Sequence, residues 1–274
     1  MRDHAVKAAF ASVRRAYAAV PSGLLRLALP SRCALCGNLS QHQVCGACDT
    51  ISDENKALRC PRCAATFEFA GGNAQACGAC LATPPEFDAT VVLAAYAEPF
   101  DALAQALKFS GQPGLGHWFA GKLAQCAHQA GVAPDLIVPV PLSAQRLALR
   151  GYNQSWEIAR PLARHLHTKA ASTYLRRLRD TAPQTNLADA RQRRHNVRGA
   201  FATCASGLAG LHVAVVDDVM TSGATLAEIA SVLKRAGAAR VTNLVALRTP
   251  SPHHSIADGG ARNSARRQPN SSQP

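Results

Sequence analysis

The chain has 274 residues, and its apolar share of 47% is enough for one or two domains that bury a sizeable core. The formal net charge of +13 favours polyanionic partners such as nucleic acid, a phosphorylated substrate or an anionic membrane surface, although a basic proteome or simple solubility would give the same charge. No apolar run approaches the ~20 residues that span a bilayer, and no convincing secretory signal opens the chain. We therefore expect a soluble, cytoplasmic protein, and peripheral attachment to the inner face of the membrane stays open.

The two ends of the chain differ in composition from its middle. Residues 1–30 form an arm rich in alanine and arginine, in which apolar residues recur on one helical face: Val6, Phe10, Val13, Tyr17 and Val20. This pattern predicts a short helix docked on the body, with a membrane-surface or partner-binding helix as the alternative. Residues 250–274 are rich in Ser, Pro, Asn and Arg and are predicted to be disordered.

Cysteine dominates the segment 31–85, which holds eight of the ten cysteines as four Cys-x-x-Cys pairs. A two-residue spacer lets both thiolates of a pair converge on one ion, and two pairs complete a tetrahedral zinc site. In a reducing compartment such pairs are more often metal ligands than disulfides. We therefore predict a double zinc-ribbon module with two structural Zn²⁺ ions, and an iron–sulfur cluster or a redox-active pair is the weaker alternative.

Sequential pairing is the simplest assignment of the zinc ligands. It places one ion on Cys33, Cys36, Cys45 and Cys48 and the other on Cys60, Cys63, Cys77 and Cys80. A cross-braced arrangement stays open at this point. Cys126 and Cys204 fall outside the pattern and are interpreted as ordinary core or surface residues.

Apolar strands alternate with amphipathic helices over residues 86–249. Strands are predicted within 87–97, 135–142, 211–219 and 240–248, and helices within 100–109, 153–166 and 225–238. Pro161 is expected to kink or break the second of these helices. The alternation is typical of βαβ units, so the predicted fold class is α/β, a parallel Rossmann-like sheet next to the small zinc module.

The stretch VAVVDDVMTSGAT, residues 213–225, places two adjacent carboxylates, Asp217 and Asp218, at the end of an apolar strand. Ligands of open α/β sheets bind at the carboxyl ends of strands, and the N-terminus of the next helix offers N–H groups to an anion. The loop adds hydroxyl groups and a glycine that lets the backbone approach a phosphate: Thr221, Ser222, Gly223 and Thr225. Carboxylates repel a phosphate unless they face sugar hydroxyls and a divalent cation. A strand–loop–helix corner with capping Asp and Thr residues is the alternative.

This stretch resembles the signature of the type I phosphoribosyltransferase family: four apolar residues, two acids and a loop ending in Thr-x-Gly-x-Thr. The resemblance implies that Asp217 and Asp218 hold the ribose hydroxyls of phosphoribosyl pyrophosphate and that Mg²⁺ bridges the ribose and the diphosphate. It also implies a 5′-phosphate site on Thr221, Ser222, Gly223, Ala224 and Thr225. The family's pyrophosphate loop would lie within 138–155, with candidate ligands Arg146, Arg150 and Gly151.

The chain as a whole resembles the ComF family, which includes GntX-type proteins and is linked to natural competence and DNA uptake. The resemblance covers about residues 30–248, and its further motifs are RGYNQ (150–154), TxxQTNL (181–187) and NVRGAF (196–201). Lys108 falls where the family has a lysine before a glycine-containing turn, so it either binds an anion or is a surface lysine. The segment 175–201 would be the mobile loop that covers the site in related transferases.

Two functions follow from the resemblance. The first is a phosphoribosyltransferase that uses phosphoribosyl pyrophosphate and Mg²⁺ and acts on an acceptor for which the sequence has no signature. The second is a non-enzymatic DNA-uptake adaptor that holds single-stranded DNA or a helicase-like partner. Residues 146–198 carry twelve Lys or Arg against three Asp or Glu, a surplus of +9 that suits a diphosphate, a DNA backbone or a solvated helix face.

Overall fold

The computed structural model describes residues 31–51, 58–66, 76–181, 190–203 and 206–250. The predicted helical arm and almost all of the predicted disordered tail lie outside the described residues, as does Cys204. No helix within the described ranges is both long and apolar enough to cross a bilayer. In chain order the elements are β1 (Ser31–Arg32), β2 (Leu39–Ser40), α1 (Gly46–Asp49), α2 (Gly78–Ala82), β3 (Ala89–Ala95), α3 (Phe100–Phe109), α4 (Leu115–Gln129), β4 (Leu136–Pro139), α5 (Ala144–Arg150), α6 (Gln154–His165), β5 (Lys169–Ala170), β6 (Leu175–Arg177), α7 (Ala190–Val197), β7 (Phe201–Thr203), β8 (His212–Met220), α8 (Ala224–Arg235) and β9 (Arg240–Arg248).

Five parallel strands form the central sheet in the order β3-β9-β8-β4-β5. Successive residues of a strand point to opposite faces, and both faces of this sheet are covered, so residues 213–216 of β8 are all fully buried. Ala214 and Val216 pack with α3, α4 and α6, whereas Val213 and Val215 pack with α8. The predicted α/β class with a parallel sheet is confirmed.

Helix α6 continues through Pro161, so of the expected kink or break at this proline the break is wrong, and the kink stays a prediction. A proline lacks the N–H that would bond the carbonyl four residues earlier, which here belongs to Glu157. Gly116 of α4 lies against that carbonyl, because a Cβ atom on Gly116 would stand 2.4 Å from the Glu157 oxygen. Close packing of α4 on α6 at this point supports the helix where its own hydrogen bond is missing.

The cysteine-rich segment packs directly on the α/β part. Asp49, at the end of α1, accepts a hydrogen bond from Trp118 Nε1 of α4 at 2.6 Å and pairs with Lys122 Nζ at 3.0 Å. On the edge strand β3, the Thr90 amide donates to the Pro61 carbonyl at 3.1 Å. The first two contacts join the segment to α4, and the third satisfies one amide on the open edge of the sheet. The domain boundaries predicted at residues 30, 85 and 249 stay predictions.

Candidate functional site

A cavity of about 500 Å³ lies where β3, β4, β8 and β9 end. Tyr96, Val140 and Thr249 directly follow β3, β4 and β9 and line it. Most of the predicted site residues also line it: Lys108, Arg146, Arg150, Asp217, Asp218, Thr221, Gly223, Ala224 and Thr225. Ser222 and Gly151 are not among the lining residues. The predicted ligand site is therefore one contiguous space at the carboxyl edge of the sheet.

The two carboxylates are held by different partners. Ser155 Oγ donates to Asp217 Oδ1 at 3.1 Å, and Lys108 Nζ lies 2.9 Å from Asp218 Oδ2. Burial, followed by the neighbouring charge of Asp218, raises the pKa of Asp217 to about 7. Asp217 is thus only partly ionised near neutral pH, and a cation bound beside it would favour the ionised form.

The loop after β8 turns at Gly223, which has a φ of +79°. A Cβ atom at this position would lie 2.6 Å from Met220 Cε. Helix α8 begins at the next residue with no side-chain cap at Gly223, and Ser222 Oγ accepts a hydrogen bond from the Ala224 amide at 3.4 Å. Ala224 and Thr225, in the first turn of α8, line the cavity, which is the position that an anion site at a helix N-terminus requires. The two carboxylates accept hydrogen bonds from amides of β8: Asp217 Oδ1 from the Asp218 amide at 3.0 Å, and Asp218 Oδ1 from the Val219 amide at 2.8 Å.

A short helix, α5, occupies residues 144–150 of the segment 138–155, in which a pyrophosphate loop was expected, so a loop conformation is wrong for these residues. The role of the segment at a diphosphate stays a prediction. The Ser143 hydroxyl accepts a hydrogen bond from the Arg146 amide at 3.3 Å, and a capped run of Ala, Gln, Leu and Arg favours a helix. Arg146 and Arg150 lie one turn apart and both reach the cavity. Gly151 ends α5 with a φ of +78° and is exposed outside the cavity.

Each of these two arginines is oriented by a neighbouring group. The Arg146 guanidinium donates to the Thr181 carbonyl at 3.0 Å. The Arg150 guanidinium donates to Gln154 Oε1 at 3.0 Å and lies 5.3 Å from the centre of the Phe109 ring. These contacts hold both positive charges at the cavity.

Arg177 is a further cavity residue that the sequence interpretation missed. It lies on β6, donates to the Thr181 hydroxyl and stands 5.3 Å from the centre of the Phe201 ring. Burial and the charge of Arg146 lower its pKa. The only sequence signal is the basic run RRLR at 176–179, which does not separate a ligand from a surface charge.

The ends of the segment predicted as a mobile loop form a two-stranded antiparallel ribbon of β6 and β7. Helix α7 follows residue 189, and residues 182–189 lie outside the described residues. Its role as a cover of the site stays a prediction.

The motif RGYNQS connects several elements around the carboxylates. Tyr152 Oη donates to the Leu107 carbonyl, at the end of α3, at 2.5 Å. Asn153 donates to the Val140 carbonyl and accepts the Ser155 amide at the start of α6, each at 3.0 Å. The motif therefore ties the ends of α3 and β4 to the start of α6, whose serine holds the first carboxylate.

The described cysteines of the predicted zinc module form two tetrads in the sequential grouping. In each tetrad all Sγ atoms lie within 4.8 Å of one another: Cys33, Cys36, Cys45 and Cys48 in the first, and Cys60, Cys63, Cys77 and Cys80 in the second. Four thiols at this spacing are the donor set of a structural Zn²⁺ ion. The Arg248 guanidinium approaches the second tetrad, donating from Nε to the Cys63 carbonyl at 3.3 Å.

Two family models and several solved structures match the chain. A double zinc ribbon domain matches residues 24–81, and a phosphoribosyl transferase domain matches residues 153–257. Glutamine phosphoribosylpyrophosphate amidotransferase from B. subtilis is 20% identical at a TM-score of 0.34, covering 52% of this chain and 30% of that chain. Purine phosphoribosyltransferase from Pyrococcus horikoshii is 15% identical at a TM-score of 0.29, covering 48% of this chain and 80% of that chain. Likenesses this low carry no argument about function.

Two relatives match most of the chain. The DNA utilization protein YhgH of Escherichia coli (strain K12) is 37% identical over 223 residues, which cover 78% of this chain and 96% of that protein. Competence protein F of Haemophilus influenzae is 33% identical over 217 residues, which cover 75% of this chain and 92% of that protein. With a double zinc ribbon followed by a phosphoribosyl transferase domain, the chain belongs to the ComF family, the family of the DNA utilization protein YhgH and competence protein F.

Proposed function

We propose that the chain binds phosphoribosyl pyrophosphate together with Mg²⁺ in the cavity at the end of β8. One observation carries the proposal: two adjacent carboxylates and a hydroxyl-bearing helix N-terminus line the same cavity. The names of the relatives, DNA utilization protein and competence protein, support a link between this binding and DNA uptake. The location of the protein, in the cytoplasm or at the inner face of the membrane, stays a prediction.

The cavity offers separate groups for each part of this ligand. The first turn of α8 with Thr221 and Thr225 would take the 5′-phosphate, and Asp217 and Asp218 would accept hydrogen bonds from the ribose hydroxyls. The remaining polar lining is cationic and would neutralise a diphosphate by charge-assisted hydrogen bonds: Lys108, Arg146, Arg150 and Arg177.

The donor set fits Mg²⁺, which prefers carboxylate and phosphate oxygens and retains several waters. Asp217 and Asp218 would hold the ion together with oxygens of the ligand, with Ser155 orienting the first carboxylate at 3.1 Å. Bound there, Mg²⁺ would neutralise negative charge on the diphosphate and so make it a better leaving group.

Transfer of the phosphoribosyl group is the leading activity for such a site. The bond from C1′ of the ribose to the diphosphate would break while an acceptor nitrogen bonds to C1′. Positive charge then develops on the sugar ring and negative charge on the departing diphosphate, where Arg146, Arg150 and Arg177 would stabilise it. The acceptor is unassigned.

Calorimetric titration with phosphoribosyl pyrophosphate, with and without Mg²⁺, tests the proposal. We expect saturable binding that requires Mg²⁺ and is lost in the double variant Asp217→Asn/Asp218→Asn. Zinc content and thermal midpoint should be measured on both proteins, so that lost binding is not confused with lost folding. Absence of saturable binding by the wild-type protein, or equal binding by the folded double variant, contradicts the assignment.

A DNA-uptake adaptor is the second candidate, and the surface at the cavity rim favours it. Phe109 is 72% exposed, with the Arg150 guanidinium beside its ring, an arrangement on which a nucleic-acid base can stack. Anisotropy titrations with a labelled single-stranded oligonucleotide should show affinity that falls steeply with salt. The variant Phe109→Ala should bind the oligonucleotide more weakly than the wild-type protein at each salt concentration. An affinity that is insensitive to salt would count against this candidate. A helicase-like partner stays a prediction.

A further inference from the structure

Lys108 is the one cavity cation, among the described lining residues, that contacts a carboxylate of the site directly. Its Nζ atom lies 2.9 Å from Asp218 Oδ2, and the two side chains are only 21% and 13% exposed. The hydrogen bond from Tyr152 Oη to the Leu107 carbonyl fixes the end of α3 immediately before Lys108. The ion pair is therefore a partly buried contact on an anchored helix end, not a mobile surface pair.

The ammonium group occupies the place at Asp218 that a divalent cation would contact. Asp217 and Asp218 are adjacent in the chain and line the same cavity, and two negative charges this close repel each other. Lys108 offsets part of that charge in the ligand-free protein. A second cation at the same carboxylate would have to overcome the repulsion of the ammonium group as well as lose its own hydration.

The lysine side chain can also reach a different anion without a backbone change. It has a flexible four-carbon stem with rotatable donors, and Lys108 lines the same cavity as Arg146 and Arg150. A diphosphate bound among these cations would compete with Asp218 for the ammonium group. Release of Lys108 from Asp218 would then free the carboxylate for the ribose and the metal.

We propose that Lys108 is a built-in cation that occupies Asp218 until the ligand arrives, so that the divalent metal enters with the ligand and not before it. The proposal rests on the proposed function for the identity of the ligand. It assigns Lys108 as a positioning residue with two alternating partners, the carboxylate in the free protein and the diphosphate in the complex.

The test compares Lys108→Met with the wild-type protein in two titrations, using zinc-loaded protein and checking zinc content and thermal midpoint. In the first, Mn²⁺ or Mg²⁺ alone is titrated; removal of the ammonium group should tighten divalent binding by about tenfold or more. In the second, phosphoribosyl pyrophosphate is titrated with saturating Mg²⁺, and the same variant should bind it about tenfold or more weakly. The two effects have opposite signs, which loss of folding cannot produce.

A matched control is available in the ion pair between Lys234 and Asp88, which has an Nζ–Oδ1 distance of 2.8 Å and lies outside the cavity. Lys234→Met should leave both titrations unchanged, and Lys108→Arg should keep divalent binding weak. Divalent affinity of Lys108→Met within about twofold of wild type overturns the proposal, as does tighter binding of both metal and ligand. If the wild-type protein fails to bind phosphoribosyl pyrophosphate, the proposed function fails, whereas the metal titration still decides whether Lys108 excludes the ion.

Discussion

Asp217→Asn should stabilise the ligand-free protein at mildly alkaline pH, although it removes a residue of the proposed site. Burial raises the pKa of Asp217 from 3.8 to about 7, so the native state holds an ionised carboxylate at a cost above that pH. The full shift corresponds to about 4 kcal/mol as an upper limit. Because Asp217 is half-buried and keeps some contact with solvent, we expect a gain of about 2 kcal/mol.

The sign of the effect sets its pH dependence. An acid whose pKa is raised by folding binds more protons in the native than in the unfolded state, so native stability falls as pH rises between the two pKa values, 3.8 and about 7. The advantage of Asn over Asp should therefore be full above about pH 8 and about half as large near pH 5.5. At lower pH the zinc ligands become protonated, which limits the useful range.

Urea unfolding followed by the fluorescence of Trp118 and Trp156, in buffer free of Mg²⁺, measures this difference. Asp218→Asn is the comparison variant: it relieves the repulsion of Asp217 but also removes the ion pair with Lys108, so it should stabilise the protein less than Asp217→Asn does. If Asp217→Asn lowers the free energy of unfolding near pH 8, or if its effect is the same near pH 5.5, the assigned cost of the buried carboxylate is wrong.

Two further changes test the packing around the site. Gly116→Ala should lower the free energy of unfolding by about 1–3 kcal/mol, because its Cβ would stand 2.4 Å from the Glu157 oxygen. The control Gly121→Ala, in the same helix, places a Cβ that meets nothing within 4 Å and should raise the free energy of unfolding by about 0.5–1 kcal/mol. Urea titrations that give both variants the same sign would contradict this packing. Arg248→Gln removes a buried cation beside the second tetrad, so metal analysis should find the zinc content lowered from two ions toward one per chain. An unchanged zinc content in a variant that folds as well as the wild-type protein would show that the guanidinium is not needed there.

The sequence predicted the elements whose patterns are strong and local. The helix expected at 100–109 and the strand expected at 240–248 have those bounds in the structure. Helix α4 was not predicted, because Gly116 and Gly121 lower its helix propensity and its stability comes from packing on α6. Helix α5 was hidden by the resemblance itself, which placed a loop there.

The site was predictable where one stretch of chain supplies it and not where distant elements meet. Asp217 and the loop after it are contiguous in sequence, and their place at the edge of the sheet follows from the strand–loop–helix pattern. Arg177 lies on the ribbon of β6 and β7, which is separate from the main sheet. No local sequence pattern could therefore predict that this side chain lines the cavity. The hydrogen bond from Ser155 to Asp217 joins residues 62 positions apart, so no local sequence pattern could predict it either.

The arrangement around the two acids favours the proposed ligand site over a purely structural corner. A purely structural corner would be more stable with a neutral residue at position 217, since burial raises the pKa of Asp217. Each acid accepts a hydrogen bond from the backbone amide of the next residue, and each also has a partner from another element, Ser155 for Asp217 and Lys108 for Asp218. A carboxylate with a raised pKa that faces a cavity lined by three arginines is typical of a site for a polar ligand. The stabilising effect of Asp217→Asn measures the cost of that charge, and the opposed metal and ligand effects of Lys108→Met test whether the neighbouring carboxylate binds a metal only together with an anionic ligand.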